Sequence, residues 1–188
     1  MSIPTKVVSF YSFKGGTGRT TSLANTSYAL ADMGNNVGCM DLDLAAPGLH
    51  MVFPEIGRAH DSSRTIHDYI LGDHDDNSKN DLNMDKYTID VGEKIGNTRE
   101  YRQPDGDLLL LSGEVKKPVD DNPKTMVQKT IELMRMFISY HDLDYLLLDA
   151  RSGLSSHIVP LITESDKLFS FHRWTAQHKM GTKEPLNG

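Results

Sequence analysis

Cysteine occurs once in this 188-residue chain, at Cys39. That excludes an internal disulfide and any zinc or iron–sulfur site built from paired thiolates of one chain. It also suits a reducing compartment, so the expected location is the cytoplasm. No run of roughly 18 apolar residues is present, so the sequence offers no membrane-spanning helix. Met1-Ser2-Ile3-Pro4 leads directly into an apolar run, without the basic segment and cleavage site of a secretory leader. Basic residues are outnumbered, 20 Lys and Arg against 26 Asp and Glu for a formal charge of -6, which argues against nucleic acid or anionic lipid as a surface-wide partner. The 8 histidines lack the spacing of paired metal ligands, and His74 lies in an acidic Asp73-His74-Asp75-Asp76 stretch that reads as a solvated loop. What remains is 38% hydrophobic and 24% charged, the make-up of a single domain over residues 1–188 with enough apolar material for a core.

The hydropathy pattern alternates between the two regular periods. Lys6 to Ser12 is a β-branched and aromatic run that ends at a glycine cluster, and Thr20 to Met33 follows with helical spacing of Leu23, Ser27, Leu30 and Ala31. Gly34 stands where a helix C-terminal glycine belongs, and Val37 to Leu42 reads as the next strand, completing a βαβ unit and predicting a parallel sheet. From Ala45 to about Arg102 the chain is polar and turn-rich, with a helical stretch at Thr65 to Leu71 and a weak strand at Tyr87 to Val91. Alternation then resumes: strand at Leu108 to Leu111, helix at Thr125 to Tyr140 with Ile131, Met134, Phe137 and Ile138 on one side, and strand at Tyr145 to Leu148. A helix around His157 to Thr163 and a strand at Lys167 to His172 come last. Cys39 falls inside an apolar strand, where a buried, inert thiol is expected.

Lys14-Gly15-Gly16-Thr17-Gly18-Arg19-Thr20-Thr21 lies between the first strand and the first helix. A strand entering a glycine-rich loop and then a helix aims backbone N–H groups and the helix N-terminus at one point, which suits phosphate. Glycines 15, 16 and 18 allow close wrapping that a Cβ would obstruct. Thr20 stands where a phosphate-loop hydroxyl coordinates magnesium. The segment resembles the variant phosphate loop of the ParA/MinD ATPases, Lys-Gly-Gly-x-Gly-Lys-Thr-Thr/Ser, with Lys14 at the signature lysine. The resemblance implies ATP and Mg2+ as ligands, and a homodimer formed on ATP binding in which Lys14 reaches the partner's phosphates. Arg19 departs from the pattern, replacing the loop lysine as in a subgroup carrying Lys-Gly-Gly-Val-Gly-Arg. Arginine keeps the charge but is a larger, forked donor, so different geometry at the phosphates and slow hydrolysis are expected.

Two further segments end in carboxylates. The second strand closes in Met40-Asp41-Leu42-Asp43, followed by an Ala46-Pro47-Gly48-Leu49 turn that also matches the subgroup; strand C-terminal ends are where ligands bind in open α/β sheets. By resemblance Asp43 orients the attacking water and Asp41 lies near the magnesium shell. Asp144-Tyr145-Leu146-Leu147-Leu148-Asp149 has the layout of a strand whose terminal carboxylate contacts magnesium. Arg151, in the following Ala150-Arg151-Ser152-Gly153, either reaches the γ-phosphate or the partner subunit, or forms a structural salt bridge. Arg173 to Thr182 resembles the stretch that enters the subgroup's next helix, a reading preferred over a basic-aromatic nucleic-acid patch.

The expectation is therefore an α/β P-loop fold, a mostly parallel sheet with helices on both faces, ending before the C-terminal units that relatives carry, as in a truncated chain. The expected site comprises Lys14, Asp43 and Arg151 for catalysis, residues Lys14 to Thr21 for the nucleotide, and Thr20, Asp41 and Asp149 for the metal. The expected function is a slowly hydrolysing Mg-ATP switch that dimerises with nucleotide and is read by an unidentified effector protein. Two alternatives stay open: a nucleotide-binding scaffold with negligible turnover, and a DNA-segregation or cell-positioning ATPase.

Overall fold

The computed structural model describes residues 4–44, 46–53, 56, 64–72, 83–113, 122–150, 152–153 and 158–172. Their architecture is an α/β sheet of six strands in the order β3-β4-β2-β5-β1-β6. The strands are β1 (Lys6–Ser12), β2 (Val37–Asp41), β3 (Thr88–Asp90), β4 (Leu108–Leu111), β5 (Tyr145–Asp149) and β6 (Lys167–Phe171). The helices are α1 (Arg19–Asp32), α2 (Leu49–Val52), α3 (Ile66–Leu71), α4 (Val91–Gly96), α5 (Pro123–His141) and α6 (Ile158–Thr163), with one 3₁₀ turn at Met84–Lys86. All pairings are parallel except β3 with β4, which places the weak strand of the sequence at an antiparallel edge.

Strands buried on both faces supply two cores, and side-chain alternation divides them. On one face Tyr11, Met40, Leu109, Leu111, Leu146 and Leu148 pack with Ile66 and Ile70 of α3, Leu133, Met134 and Phe137 of α5, and Leu161 of α6. On the other, Val8, Phe10, Cys39, Leu108, Leu110 and Leu147 pack with Leu23, Ala24 and Ala31 of α1, Leu49 of α2, and Val91 and Ile95 of α4. This explains the unbroken leucines of β4, whose neighbours face opposite cores. Burial pushes the Cys39 thiol up to about 12, as an inert core cysteine requires.

Helix boundaries follow local chemistry. Gly34, at φ 85°, supplies the left-handed residue beyond α1. Thr65 caps α3 through a reciprocal box with Asp68. Helix α5 begins earlier than the apolar spacing predicts, because Asn122 accepts the Lys124 amide at 3.0 Å and Pro123 occupies the first turn. Its inward face is also displaced: Thr130, Leu133, Met134 and Phe137 are buried, whereas Ile131 and Ile138 are only partly so. Helices α2 and α4 are additions to the sequence reading.

Candidate functional site

The topology brings three strand ends together. From β1 the chain passes through α1 to β2 on the far side of β5, and from β5 through α6 to β6 on the far side of β1. Adjacent strands thus send their crossovers in opposite directions, the switch point where open α/β sheets leave a crevice at their C-terminal edge. The sheet register sets Asp149 beside both Phe10 of β1 and Asp41 of β2. The glycine-rich loop leaves β1 at that edge.

Gly16 and Gly18 adopt φ of 70° and 82°, in the left-handed region, which gives a physical reason for glycine at those two positions. Gly18 caps α1 without a side-chain acceptor, and no acidic residue occupies the first turn. The positive end of this 14-residue helix is therefore not offset by its own side chains. Ser12, Gly15, Gly16, Thr17, Gly18, Arg19, Thr20 and Thr21 line a cradle of about 210 Å³. All the loop residues expected to hold nucleotide line it except Lys14, which precedes it and is half-buried.

Asp149 does not line the cradle itself but bonds to two residues that do, and its side chain is 3% exposed. Arg19 Nε donates to Asp149 Oδ1 at 2.5 Å, and Arg19 Nη1 donates to Ser12 Oγ at 3.1 Å. The Thr20 hydroxyl also hydrogen-bonds Asp149. Burial raises the Asp149 carboxyl above the usual range; the Arg19 charge and the bonds from Thr20 and Arg19 oppose the rise, and the nearby Asp43 charge adds to it. Ser12, buried at the end of β1, is a member of the site that sequence reading missed. Its only signal was a hydroxyl two residues upstream of Lys14.

The two carboxylates after β2 are placed differently from each other. Asp41 is fully buried. Its Oδ1 accepts the Asp43 amide at 3.0 Å, and its Oδ2 accepts the Gly48 and Leu49 amides, each at 2.9 Å. Burial pushes its carboxyl up to about 7 in spite of the Leu49, Asp43 and Gly48 bonds, with the Asp149 charge contributing to the rise. Both Asp41 oxygens are thus engaged in shaping the turn into α2. Asp43 is only partly buried and accepts the Ala46 amide on Oδ1 at 3.1 Å. Arg151, His74 and the Arg173–Thr182 stretch lie outside the described residues.

The donor set suits magnesium. Thr20, which lines the cradle, and Asp149, which bonds to it, offer hard oxygen ligands in mutual contact, and magnesium in such sites takes one or two protein oxygens with phosphate and water completing its shell. No group of three or more His, Cys, Asp and Glu residues arranged for a metal occurs among the described residues.

No family model matches the chain. It is 25% identical over 162 residues to an uncharacterized ATP-binding protein of Methanocaldococcus jannaschii, covering 86% of this chain and 50% of that one, so it spans about half the length of that curated relative. Among solved structures it resembles the Pyrococcus horikoshii septum site-determining protein MinD complexed with Mg-ADP, with a TM-score of 0.65 and 21% identity over 98% of this chain and 67% of that one. It also resembles the kinase domain of the Escherichia coli tyrosine kinase ETK, with a TM-score of 0.66 and 14% identity over 98% of this chain and 63% of that one. The fold is thus that of MinD-like P-loop proteins, and it is shared by proteins of different activity.

Proposed function

We propose that residues 1–188 form a single P-loop domain that binds Mg-ATP, hydrolyses it slowly and uses the nucleotide state to switch between monomer and homodimer in the cytoplasm. The observation that carries this reading is the contiguity of the cradle with Arg19, Thr20 and Asp149 at the topological switch point. The ATP-binding relative and the Mg-ADP complex of the MinD neighbour support it. Within the ParA/MinD group, Arg19 and the Ala46-Pro47-Gly48-Leu49 turn favour the arginine-bearing subgroup.

In this reading the backbone N–H groups of the loop and of the first turn of α1 bind the phosphates, and Arg19 adds a fixed positive charge beside them. Thr20 and Asp149 would hold magnesium, which supplies charge neutralisation at the phosphoryl oxygens when bound. Asp41 shapes the turn that carries Asp43, and would act on the metal shell through water. Asp43, the more accessible carboxylate, positions the attacking water. Lys14 extends to the nucleotide of a second copy, and Arg151 steadies charge that develops on transfer. The dimer state is then read by an effector protein.

The test is nucleotide binding and phosphate release with magnesium, with sedimentation in parallel. Slow release and an ATP-dependent dimer, both lost in Lys14→Ala, are expected. Nucleotide binding with neither turnover nor dimer would favour a scaffold, and failure to bind any nucleotide would overturn the reading.

A further inference from the structure

Arg19 faces two ways. Its Nε–H is committed to Asp149 and its Nη1 to Ser12, two groups of adjacent strands, while the same residue lines the phosphate cradle. The ion pair is largely buried, with side-chain exposures of 11% for Arg19 and 3% for Asp149. A cation approaching Asp149 therefore meets a carboxylate already neutralised at short range. A lysine in this position would present one ammonium point charge and could not fork between the carboxylate and the Ser12 hydroxyl.

We infer that Arg19 is a resident counter-cation that competes with magnesium for Asp149, so that divalent-metal binding is conditional on phosphate drawing the guanidinium away from the carboxylate. This rests on the nucleotide-binding reading above and assigns an order to it. Two ligands of one carboxylate oppose each other, whereas phosphate, which attracts Arg19, frees Asp149 and so promotes metal binding. Ser12 strengthens the latch by anchoring the other prong of the fork. Arg19 is thereby a positioning residue for the metal site rather than only a phosphate ligand.

The test is Mn2+ binding to the nucleotide-free chain, in which Arg19 still holds Asp149, followed by loss of the free-ion electron paramagnetic resonance signal. ADP binding is established separately with a fluorescent ADP analogue. The half-saturating Mn2+ concentration is expected to fall about tenfold in Arg19→Lys, within the usual range of linkage between sites. In Ser12→Ala, which keeps the arginine charge and loses one anchor, it is expected to fall about threefold, the equivalent of one weak hydrogen bond. Equal half-saturation in the native chain and both variants would overturn the competition while leaving the nucleotide reading intact. Failure of the native chain to bind the ADP analogue at any Mn2+ concentration would overturn the nucleotide reading and this inference together. Ser12→Ala decides the matter alone if Arg19→Lys does not fold.

Discussion

Asp41 Oδ2 accepts the Leu49 amide at 2.9 Å, so the last residue of β2 holds the first residue of α2 across an intervening turn. Asp43 lies within that turn and the Asp41 carboxylate bonds its amide as well. The placement of Asp43, a partly accessible carboxylate, thus depends on a buried one. This division of labour separates the two aspartates that the sequence presents as a pair.

The burial of Asp41 has a pH signature. Its carboxyl titrates near 7 in the folded chain, against an ordinary value of 3.8. The native state therefore binds a proton more readily than the unfolded state, and the associated stability is fully present below about pH 4 and lost as pH rises through about 7. Asp41→Asn removes this proton. In urea unfolding without nucleotide, the stability of the native chain relative to Asp41→Asn is expected to fall between pH 4 and pH 7, by roughly 1 kcal/mol or more. A constant difference across that range would show that burial does not govern this carboxyl.

Helix α3 has its start fixed by side chains. The Thr65 amide and hydroxyl both donate to Asp68 Oδ2, at 2.8 and 3.0 Å, and the Asp68 amide donates back to Thr65 Oγ1 at 3.3 Å. Both residues are buried, so neither group would find water if its partner were removed. Thr65→Ala should cost about 1–2 kcal/mol, read as a lower urea midpoint with an unchanged m-value. A loss below about 0.5 kcal/mol would mean the box does not define the helix.

How much of this was legible in the sequence follows from the range of the interactions involved. Helix α1, strands β1, β2, β4 and β5, and the phosphate loop are encoded locally, by apolar period, glycine placement and strand length. Helix α4 carried a signal, Asp90 capping the Glu93 amide at 2.8 Å, but Gly92 and Gly96 weakened its helical pattern. Helix α2 is four residues long and tied down by Asp41, a contact that no local pattern records. The partner of Arg19 lies 130 residues away on β5. The sequence showed a strand ending in a carboxylate and a loop carrying a cation, and only the strand order shows that they meet. The edge strand β3 was legible but not its antiparallel sense, because strand direction is a property of the pairing.

Gly38 illustrates a constraint set entirely by packing. A Cβ there would stand 2.5 Å from Leu143 Cδ1 and 2.6 Å from Phe137 Cε1, below any normal contact, in a strand with β4 on one side and β5 on the other. Both neighbours are buried, Phe137 fully, so neither can move far without disturbing the core. Gly38→Ala should destabilise the chain by about 1–3 kcal/mol, measurable as a reduced thermal midpoint. An unchanged midpoint would mean that α5 can shift outward freely.

Gly15 is the opposite case, and the contrast separates folding from binding. An added Cβ at Gly15 meets nothing within 4 Å, and φ there is not in the left-handed region, so Gly15→Ala should leave stability within about 0.5 kcal/mol of the native chain. The same residue lines the cradle, where the free space is what allows backbone N–H groups to close on a ligand. If that space serves phosphate, the methyl group should cost about tenfold or more in affinity for a fluorescent ADP analogue, in line with a loss of roughly 1–2 kcal/mol of charge-assisted hydrogen bonding. The paired result, native stability with weakened nucleotide binding, is not expected of a loop that merely joins β1 to α1. Retention of full affinity in Gly15→Ala would indicate that the phosphates approach from the side of Gly16 and Gly18 instead.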